Sequence, residues 1–491
     1  MIFCIFTVSN INKTTNTIME QLMNDTQIEQ EILSVFEAQK TNTQNLANSN
    51  ASERKVKLQK ILDWTFAHEK EIGDALFNDF KKNPSETNIG EILGVVGEVK
   101  HLMKHLTSWM KPQSVPTPLN MIGTSAHVRF EPKGVCLIIS PWNYPFNLSI
   151  KPLAQAIAAG NSVILKPSEM TPHTSALIKK MISELFDSNE VHVIEGDSEV
   201  SQILLEQPFN HIFFTGSPNV GKIVMSAAAK NLTSVTLELG GKSPCIVDET
   251  ANIKKSAEKI AWGKFINNGQ TCVAPDYVLV HKSVENEFVN AMKSSIQSMY
   301  GDDAKQSPDY CRVVNNRHFN RLDSLLKEAI EKGATLSIGG QTDGSENYVA
   351  PTLLTHVDDS MKIMQDEIFG PILPIVSYST NEEAIAHIKS REKPLAMYIN
   401  SGKESNIKFF MDNSSAGGTV INDCVIHYGH TEIPFGGVNN SGIGKSGGIW
   451  GFTEFSNQRA VMRQKFGTFK MIYPPYTPAV ARLIRFFVKY M

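Results

Sequence analysis

Hydrophobic patterning divides the chain into a helical N-terminal stretch and a longer stretch in which strands and helices alternate. Ile28, Ile32 and Val35 recur at intervals of four and three residues, a spacing that predicts an amphipathic helix, and the helical pattern extends over residues 26–80. Three prolines then interrupt the pattern. We therefore predict an extended, exposed arm over residues 113–130.

Beyond residue 130, short β-rich runs alternate with helical runs. Such alternation is typical of a parallel sheet that carries helices on both faces. We predict an α/β fold with a Rossmann-like parallel-sheet domain, a second α/β domain and a loop over residues 436–448, which hold six glycines. The predicted strands are 135–140, 162–166, 191–195, 211–215, 244–247, 277–281, 373–377, 396–399 and 418–422. The predicted helices include 148–159, 172–186, 220–231 and 253–267.

The composition is that of a globular protein with a substantial core: of 491 residues, 41% are hydrophobic and 20% are charged. Units of about 150 residues would give about three domains. The net charge of −3 lacks the basic excess of nucleic-acid-binding proteins, and no apolar run is long enough to span a bilayer. The six cysteines form no CxxC pair, so we predict neither a metal site nor a disulfide framework, and a reducing, cytoplasmic setting.

The N-terminal end is predicted to lie outside the folded domains. Its first eight residues are apolar, but the stretch is short and no basic residue precedes it, unlike a secretory signal. We interpret residues 1–19 as a disordered leader, with Met19 as a candidate start of translation. A vestigial membrane anchor is the alternative.

The C-terminal residues 479–491 have the pattern of a short amphipathic helix. Its apolar face carries Leu483, Phe487 and Tyr490, and another face carries Arg482, Arg485 and Lys489. This arrangement suits a helix that makes weak peripheral contact with anionic lipid. The alternative is a terminal segment that packs on the subunit or on its partner.

Two residues have the chemistry of covalent catalysis. Cys272 follows a predicted helix and has Gly269 and other small or polar neighbours, which leave room for a reactant; a thiolate there can attack a carbonyl carbon. Glu238 ends an apolar strand between two leucines, where burial raises a carboxyl pKa toward the value of a useful general base. The alternatives are a small core residue for Cys272 and a structural ion pair for Glu238.

Loops that follow predicted parallel strands supply two further candidates. Asn143 comes after the strand 135–140, and its amide can donate to an oxyanion; a simple turn residue is the alternative. Gly216, Ser217, Val220 and Gly221 lie between a strand and a helix, an arrangement that suits a dinucleotide phosphate at a helix N-terminus. The loop does not match GxGxxG, so an ordinary turn is an equally good interpretation.

Further candidates for cofactor contacts lie in two short motifs. Lys166 and Glu169 end another predicted strand, where both can reach ribose hydroxyls or remain solvated. Glu367 is a second carboxylate beside an aromatic residue, and it can bind ribose while Phe369 packs against a nicotinamide ring. A loop with a packed phenylalanine is the alternative.

Taken together and in this order, these motifs resemble the aldehyde dehydrogenase superfamily, over about residues 25 to 475. Seven ordered matches are far more specific than any one of them. The motifs are Pro-Trp-Asn-Tyr-Pro (141–145), Lys-Pro-Ser-Glu (166–169), Phe-Thr-Gly-Ser (214–217), Leu-Glu-Leu-Gly-Gly-Lys (237–242), Gly-Gln-Thr-Cys (269–272), Glu-Ile-Phe-Gly-Pro (367–371) and Pro-Phe-Gly-Gly-Val (434–438).

The resemblance implies oxidation of an aldehyde to a carboxylic acid. It implies that Cys272 forms a thiohemiacetal and then a thioester, that Asn143 and the backbone N–H of Cys272 hold the oxyanion, and that Glu238 activates the hydrolytic water. It also implies a bound nicotinamide dinucleotide, NAD or NADP. The residues implied to hold it are Lys166, Glu169, Gly216, Ser217, Val220, Gly221, Glu367 and Phe369. Glu169 would favour NAD by bonding the adenosine 2′-hydroxyl, whereas Lys166 would tolerate a 2′-phosphate.

Within the superfamily the chain resembles the class 3 branch of fatty-aldehyde and coniferyl-aldehyde dehydrogenases. The residues 270–277 around the cysteine and the segment Tyr-Pro-Pro-Tyr at 473–476 are similar to that branch. Where many members carry Tyr-His-Gly, this chain has Ser446-Gly447-Gly448, a departure that leaves the substrate range open. The substrate implied is a medium- or long-chain aliphatic or an aromatic aldehyde.

The resemblance also implies a division into domains and a homodimer. The NAD(P)-binding domain would comprise residues 20–112 and 131–238, and the catalytic domain residues 239–435. Residues 113–130 and 436–491 would form the oligomerisation arm and the C-terminal tail.

Three functions fit these residues. A hydrolytic NAD(P)-dependent aldehyde dehydrogenase is the first, and a relative that passes the acyl group to coenzyme A is the second. Glu238 favours the first, because a base that activates water would be counterproductive in the second. A non-catalytic binding protein on the same fold is the third, and the presence of Cys272, Glu238 and Asn143 argues against it.

Overall fold

The computed structural model describes residues 26–118, 121–467 and 473–490. The leader predicted at residues 1–19 and the candidate start Met19 lie outside these ranges. The helices are α1 (26–47), α2 (Ala51–Ala67), α3 (Glu69–Phe80), α4 (Pro84–Thr87), α5 (Leu93–Trp109), α6 (Asn147–Ala159), α7 (Pro172–Leu185), α8 (Ser198–Leu205), α9 (Pro218–Ala229), α10 (Ile253–Phe265), α11 (Glu285–Tyr300), α12 (Asn316–Glu331), α13 (Lys362–Gln365), α14 (Asn381–Lys389), α15 (Glu404–Asn413), α16 (Gly448–Glu454) and α17 (Pro478–Tyr490).

The strands are distributed over four sheets. They are β1 (Gln113–Val115), β2 (Thr124–Pro132), β3 (Val135–Ile139), β4 (Ser162–Lys166), β5 (Val191–Val193), β6 (His211–Gly216), β7 (Ser234–Leu239), β8 (Pro244–Val247), β9 (Tyr277–His281), β10 (Thr335–Ile338), β11 (Thr342–Asp343), β12 (Tyr348–Val349), β13 (Thr352–Thr355), β14 (Ile372–Tyr378), β15 (Ala396–Asn400), β16 (Gly418–Ile421), β17 (Gly442–Ile443) and β18 (Ser456–Gln464). Short non-α turns occur at Asn88–Ile92, Ile266–Gly269 and Ile426–Gly429.

A six-stranded sheet organises the first half of the chain, with the order β17-β7-β6-β3-β4-β5. Its strands β3 to β7 pair in parallel, and only the edge strand β17 is antiparallel. Both β3 and β4 are buried along their whole length, as expected for a parallel sheet covered on both faces. Helix α6 is buried at nearly every position and packs among these strands and α5.

A seven-stranded sheet organises the second half, with the order β10-β13-β14-β9-β8-β15-β16. Its strands are parallel except for β10, which pairs antiparallel with β13. A separate three-stranded sheet joins β1, β2 and β18. Strand β18 lies at its edge, and most of its side chains are exposed.

The alternation of strands and helices predicted beyond residue 130 is confirmed. All nine predicted strands form, with ends shifted by at most two residues; the run predicted at 191–195 ends at Val193. The stretch predicted as helical over residues 26–80 forms three successive helices. Helix α2 starts after Asn50, whose side chain accepts hydrogen bonds from the backbone of Ser52 and Glu53 while Glu53 accepts one from the Asn50 N–H.

Two elements differ from the prediction. The loop predicted over residues 436–448 contains the short strand β17, which extends the six-stranded sheet. The extended arm predicted over residues 113–130 forms β1 and most of β2, but its partner β18 was not among the predicted strands. The sequence of β18 is largely polar, so it lacks the alternating apolar signal of a half-buried strand.

The predicted C-terminal helix is confirmed as α17, and none of its residues is buried. Across the described ranges, no helix combines the length and the apolar content that crossing a bilayer requires.

A fully buried ion pair ties the N-terminal helices to the strand-bearing half. The Lys82 Nζ lies 2.8 Å from the Glu91 Oε1, and both side chains are completely buried. The other oxygen of Glu91 accepts a hydrogen bond from the Asn147 N–H at the start of α6, and Lys82 also donates to the Asn143 carbonyl at 3.5 Å. The pair therefore supports the loop that carries Asn143.

Substituting Glu91→Ala should destabilise the protein by about 3–5 kcal/mol, because it leaves the Lys82 ammonium buried without its counter-ion. Urea unfolding followed by tryptophan fluorescence would measure the loss. The control is Asp412→Ala, which removes an exposed ion pair with Lys408 and should leave the unfolding midpoint nearly unchanged. Equal midpoints for the two variants would contradict the structural role of Glu91.

Candidate active site

One cavity of about 1160 Å³ lies where the loops at the carboxyl ends of β3, β6 and β7 meet the loops of the second sheet. Loops in this position form the ligand sites of open parallel sheets. The predicted residues that line the cavity are Asn143, Gly216, Ser217, Glu238, Cys272, Glu367 and Phe369. Lys166, Glu169, Val220 and Gly221 are not among the lining residues. The structure thus brings seven of the eleven predicted residues together on one surface.

The loop of Cys272 is fixed by the side chain of Gln270. That side chain donates to the carbonyls of Asn267 and Arg312, each at 3.1 Å, and accepts a hydrogen bond from the Val314 N–H at 2.9 Å. Every one of these contacts is buried. The backbone that carries the half-buried Cys272 is therefore held in one conformation.

Asn143 is held against the same loop. Its side-chain amide donates to the Gln270 carbonyl at 3.1 Å, and its own carbonyl accepts a hydrogen bond from the Asn267 side chain at 2.8 Å. An amide has two N–H donors, so one remains for another acceptor. The position of Asn143 is thereby linked to the position of the cysteine two residues after Gln270.

The environment of Cys272 keeps its thiol protonated. Burial raises the pKa of Cys272 to about 12, and the negative charges of Glu367 and Glu238 act in the same direction. Backbone hydrogen bonds from Cys272 and Val273 oppose this shift and favour the thiolate. Positive charge placed near the sulfur would favour the thiolate.

Glu238 is a buried carboxyl without a hydrogen-bond partner in the described ranges. Burial raises its pKa to about 8, while the positive charges of Lys445 and Lys151 act in the opposite direction. Lys445 donates to the carbonyls of Gly436 and Gly437 and not to this carboxyl. The structural ion pair considered as an alternative for Glu238 is therefore not observed among the described residues.

Glu367 is the second buried carboxyl of the cavity. A Cβ at Gly240 would lie 2.1 Å from its Oε2, so only glycine permits this close approach. Burial raises the pKa of Glu367 to about 8, the charge of Asp276 raises it further, and a hydrogen bond from the Gly241 backbone lowers it. The carboxyl thus sits directly on the turn that follows β7.

Phe369 is fixed by contacts that the sequence did not reveal. Its φ of 46° lies in the left-handed region, and its ring packs edge-on against Trp142 with the centroids 5.3 Å apart. The Arg321 guanidinium donates to the carbonyls of Glu367, Ile368 and Phe369 at 3.5, 2.7 and 3.3 Å. Arg321 lies on the amphipathic helix α12. No local sequence motif distinguishes it from an arginine that is exposed to solvent.

Lys242 and Asp276 make further contacts with the backbone just before Phe369. The Lys242 ammonium contacts the Asp276 carboxylate and donates to the carbonyls of Ile363 and Asp366. Asp276 also accepts a hydrogen bond from the Ile368 N–H at 2.9 Å. Lys242 ends one of the quoted motifs, so the sequence did carry a signal for it, although its role was not predicted.

The turn from β6 to α9 presents the start of a twelve-residue helix to the cavity. Ser217 is the N-cap and accepts a hydrogen bond from the Val220 N–H, and Pro218 is the first helical residue. A Cβ at Gly221 would lie 2.7 Å from Leu239, so glycine allows the helix to pack closely on β7. Free backbone N–H groups at a helix start suit a dinucleotide phosphate.

Lys166 and Glu169 form an ion pair just outside the cavity lining. The Lys166 Nζ is buried and lies 3.3 Å from the Glu169 carboxylate, whose side chain is 42% exposed. Burial lowers the pKa of Lys166, and the charge of Glu169 opposes that shift. Lys166 is the last residue of β4 and Glu169 follows it, and β4 neighbours β3 in the sheet, so the two residues extend the polar surface beyond the β6–α9 turn. The donor set as a whole fits a nicotinamide dinucleotide.

Comparisons with known proteins identify the family of this chain. The family model described as "Aldehyde dehydrogenase family" matches residues 6–461. The chain is 47% identical to the 4,4'-diaponeurosporen-aldehyde dehydrogenase of Staphylococcus aureus, over 85% of this chain and 90% of that protein. It is 43% identical to the dimeric NADP-preferring aldehyde dehydrogenase of Rattus norvegicus, over 85% of this chain and 91% of that protein.

Solved structures show the same fold. A substrate-bound AldH of Staphylococcus aureus is 44% identical and has a TM-score of 0.89, with 93% of this chain and 99% of that chain covered. An aldehyde dehydrogenase of Mycobacterium tuberculosis complexed with NAD+ is 26% identical and has a TM-score of 0.82, with 90% and 91% covered. The family match spans most of the chain and includes every residue of the cavity, and the chain therefore belongs to the aldehyde dehydrogenase family.

Proposed function

We propose that this aldehyde dehydrogenase acts through a covalent intermediate on Cys272. Its membership of the family makes it an oxidoreductase that oxidises aldehydes with NAD or NADP. The observation that supports a covalent route most directly is one shared cavity. It is lined by a partly exposed thiol, an amide donor and a buried carboxyl that has no hydrogen-bond partner among the described residues. These are the residue types that acyl transfer through a thioester requires.

In the first step the Cys272 Sγ attacks the aldehyde carbon and forms a thiohemiacetal. The developing oxyanion accepts hydrogen bonds from the free N–H of the Asn143 amide and from the backbone N–H of Cys272. Donors fixed in advance for such an oxyanion are each worth about 3–4 kcal/mol of transition-state stabilisation. The buried contacts of Gln270 and Asn267 keep both donors in place before the substrate arrives.

The residues of the β6–α9 turn would hold the cofactor phosphates, and Glu367 and Phe369 would hold its nicotinamide half. A bound oxidised nicotinamide would supply a positive charge that favours the Cys272 thiolate and an acceptor for the hydride whose loss from the thiohemiacetal leaves the thioester. The Phe369 ring stays fixed through its contact with Trp142 and through the Arg321 bonds to the loop backbone.

Hydrolysis of the thioester releases the carboxylic acid. Glu238 takes a proton from the attacking water, and its raised pKa makes it a stronger base than an ordinary carboxylate. Transfer of the acyl group to coenzyme A would need no such base, so Glu238 supports water as the acceptor. The full set of Cys272, Glu238 and Asn143 in one cavity also argues against a non-catalytic protein.

NAD is the preferred cofactor in this proposal, and NADP is a second possibility. Glu169 is exposed enough to accept a hydrogen bond from an adenosine 2′-hydroxyl and would repel a 2′-phosphate. Lys166 beside it offsets part of that repulsion. One relative is named as NADP-preferring, and one similar solved structure is a complex with NAD+.

We propose medium- or long-chain aliphatic or aromatic aldehydes as substrates. The partly buried Tyr428 ring packs edge-on against Phe435 with the centroids 4.9 Å apart, and a charge on Cys272 would act on the Tyr428 hydroxyl. These contacts place apolar surface near the nucleophile. The Staphylococcus aureus relative carries the name of one such substrate, 4,4'-diaponeurosporen-aldehyde.

A homodimer is the proposed assembly, with the domain boundaries given above and residues 113–130 and 436–491 as the arm and tail. Strand β18 is a nine-residue edge strand with mostly exposed side chains. Proteins normally cover or pair an edge of this length. A relative named as dimeric supports the same arrangement.

Helix α17 is the proposed point of weak contact with a membrane surface, in a protein that we place in the cytoplasm. Its exposed aromatic and apolar residues include Phe486, Phe487, Val488 and Tyr490. Arg482, Arg485 and Lys489 add positive charge. A helix with both properties is attracted to anionic lipid.

The Cys272→Ala variant should lose aldehyde-dependent formation of reduced nicotinamide by at least about 10⁴-fold, the scale on which loss of a covalent nucleophile acts. Absorbance of the reduced cofactor measures the rate, and fluorescence titration checks that NAD still binds. The control Cys136→Ala removes a thiol from the core strand β3, away from the cavity, and should retain activity. Turnover by the Cys272 variant at the control's rate would contradict the covalent route.

Steady turnover limited by hydrolysis should rise with pH from about 7 to 9 and then level, because Glu238, with a pKa of about 8, accepts a proton only when ionised. In Glu238→Gln, rapid mixing should show a retained first-turnover burst, a much slower steady rate and no such pH dependence. The exposed Glu249→Gln variant is the control. A wild-type steady rate in Glu238→Gln would remove Glu238 from the hydrolytic step.

Deleting residues 478–491 should reduce co-sedimentation with phosphatidylserine vesicles, because it removes both the aromatic residues and the basic residues of α17. The variant in which Arg482, Arg485 and Lys489 become Gln keeps the apolar residues and should also bind less. Neutral phosphatidylcholine vesicles are the control surface. Unchanged sedimentation with anionic vesicles would favour packing against a partner copy.

A further inference from the structure

Two histidines on α5 lie next to a loop that carries Glu432, outside the active-site cavity. His101 and His105 are one helical turn apart, and their ring centroids are 4.6 Å apart. Glu432 follows the short helix Ile426–Gly429 and approaches them from the other side. One ligand atom from each of the three side chains lies within 4.8 Å of the other two.

The ring nitrogens of this cluster are available for a ligand. The Nε2 atoms of His101 and His105 are both buried and have no hydrogen-bond partner among the described residues. The His101 side chain is only 10% exposed.

The remaining contacts orient the His101 ring. Its Nδ1 lies 3.2 Å from the Thr431 hydroxyl and 3.7 Å from a carboxylate oxygen of Glu432. A Cβ at Gly448 would lie 3.0 Å from the His101 Nε2, so glycine leaves space on that side of the ring. Buried imidazole nitrogens that lack partners are costly, and such groups in proteins commonly serve a ligand.

We propose that His101, His105 and Glu432 bind a divalent transition-metal ion, with Zn²⁺ as the best match. Two histidines spaced by four residues on a helix place their rings on one face, the arrangement of many zinc sites. Imidazole nitrogen and carboxylate oxygen are ligands that Zn²⁺ accepts at about 2.0–2.2 Å, with water free to complete the tetrahedron. This proposal is independent of the mechanism at Cys272.

To bind an ion, the three ligand atoms need to move only a short distance toward one another. Bonds of that length in a tetrahedron place ligand atoms roughly 3.4 Å apart, whereas the three atoms here lie within 4.8 Å. Glu432 can supply the movement, because its side chain is 63% exposed and its loop is at the surface. The bound ion would then hold this loop against α5.

That loop is continuous with residues close to the reaction centre. Tyr428 lies four residues before Glu432. The Lys151 Nζ lies 4.1 Å from the centroid of the Tyr428 ring. A negative charge on Cys272 would raise the pKa of the Tyr428 hydroxyl. Fixing the loop on α5 would therefore restrain a segment that packs against the same hydrophobic cluster as Cys272. We assign the ion a structural role there and no part in the chemical steps.

The test uses the full-length, tag-free protein carrying Cys272→Ala, so that the active-site thiol cannot bind metal. Equilibrium dialysis against Zn²⁺ should give one ion per chain, and Co²⁺ should give the visible absorption of a tetrahedral site. The variant His105→Asn should weaken binding by at least about 100-fold, since even changes outside the ligand shell cost 10–100-fold. His173→Asn, at an exposed position, is the matched control and should bind normally.

Glu432→Gln is a second ligand variant that should fold normally, because the Glu432 side chain is exposed and can change without disturbing the core. It therefore separates loss of a ligand from misfolding. It should bind Zn²⁺ more weakly than the parent while its melting temperature in EDTA stays the same. Zn²⁺ should raise the melting temperature of the parent but not that of His105→Asn. The absence of stoichiometric binding, or binding that neither His105→Asn nor Glu432→Gln weakens, would overturn the proposal and leave the two rings as packing partners of Trp109.

Discussion

The removal of ionisable groups from water is the constraint on which this site depends. Glu238, Glu367 and Cys272 share one cavity, and burial raises the pKa of each of them. Their like charges reinforce the effect on the thiol, so the site by itself disfavours the negative charge that the chemistry needs. A cationic cofactor ring would relieve that imbalance, which couples cofactor binding to activation of the nucleophile in our proposal.

Backbone hydrogen bonds account for the rigidity of the cavity. Gln270 reaches three backbone groups around the Cys272 loop, and Arg321 reaches three carbonyls around Phe369. Lys82, through its buried pair with Glu91, supports the loop of Asn143. Polar side chains that bond to loop backbone leave irregular segments as well ordered as strands, which a preorganised oxyanion site requires.

Much of the fold was predictable because parallel strands that are buried on both faces are almost continuously apolar. The runs that became β3 and β4 are examples. The loops after those strands were predictable sites for the same topological reason, and Asn143 and Gly216 do line the cavity. By contrast, β18 was missed because its polar sequence is that of an exposed edge. Arg321 was missed because the loop carbonyls that it contacts lie 46 to 48 residues later in the sequence.

By itself, the sequence determined the order of the elements and the identity of the chemical groups, since periodicity and turn residues act locally. Tertiary structure alone decided which of those groups meet. Within the part of the chain that the structure describes, it left the Glu238 carboxyl without a hydrogen-bond partner, placed Lys166 and Glu169 outside the cavity lining, and brought Glu432 to the histidines of α5. The reason is that burial, desolvation and contact between distant segments depend on how the two sheets and their helices pack, and no local pattern encodes that packing.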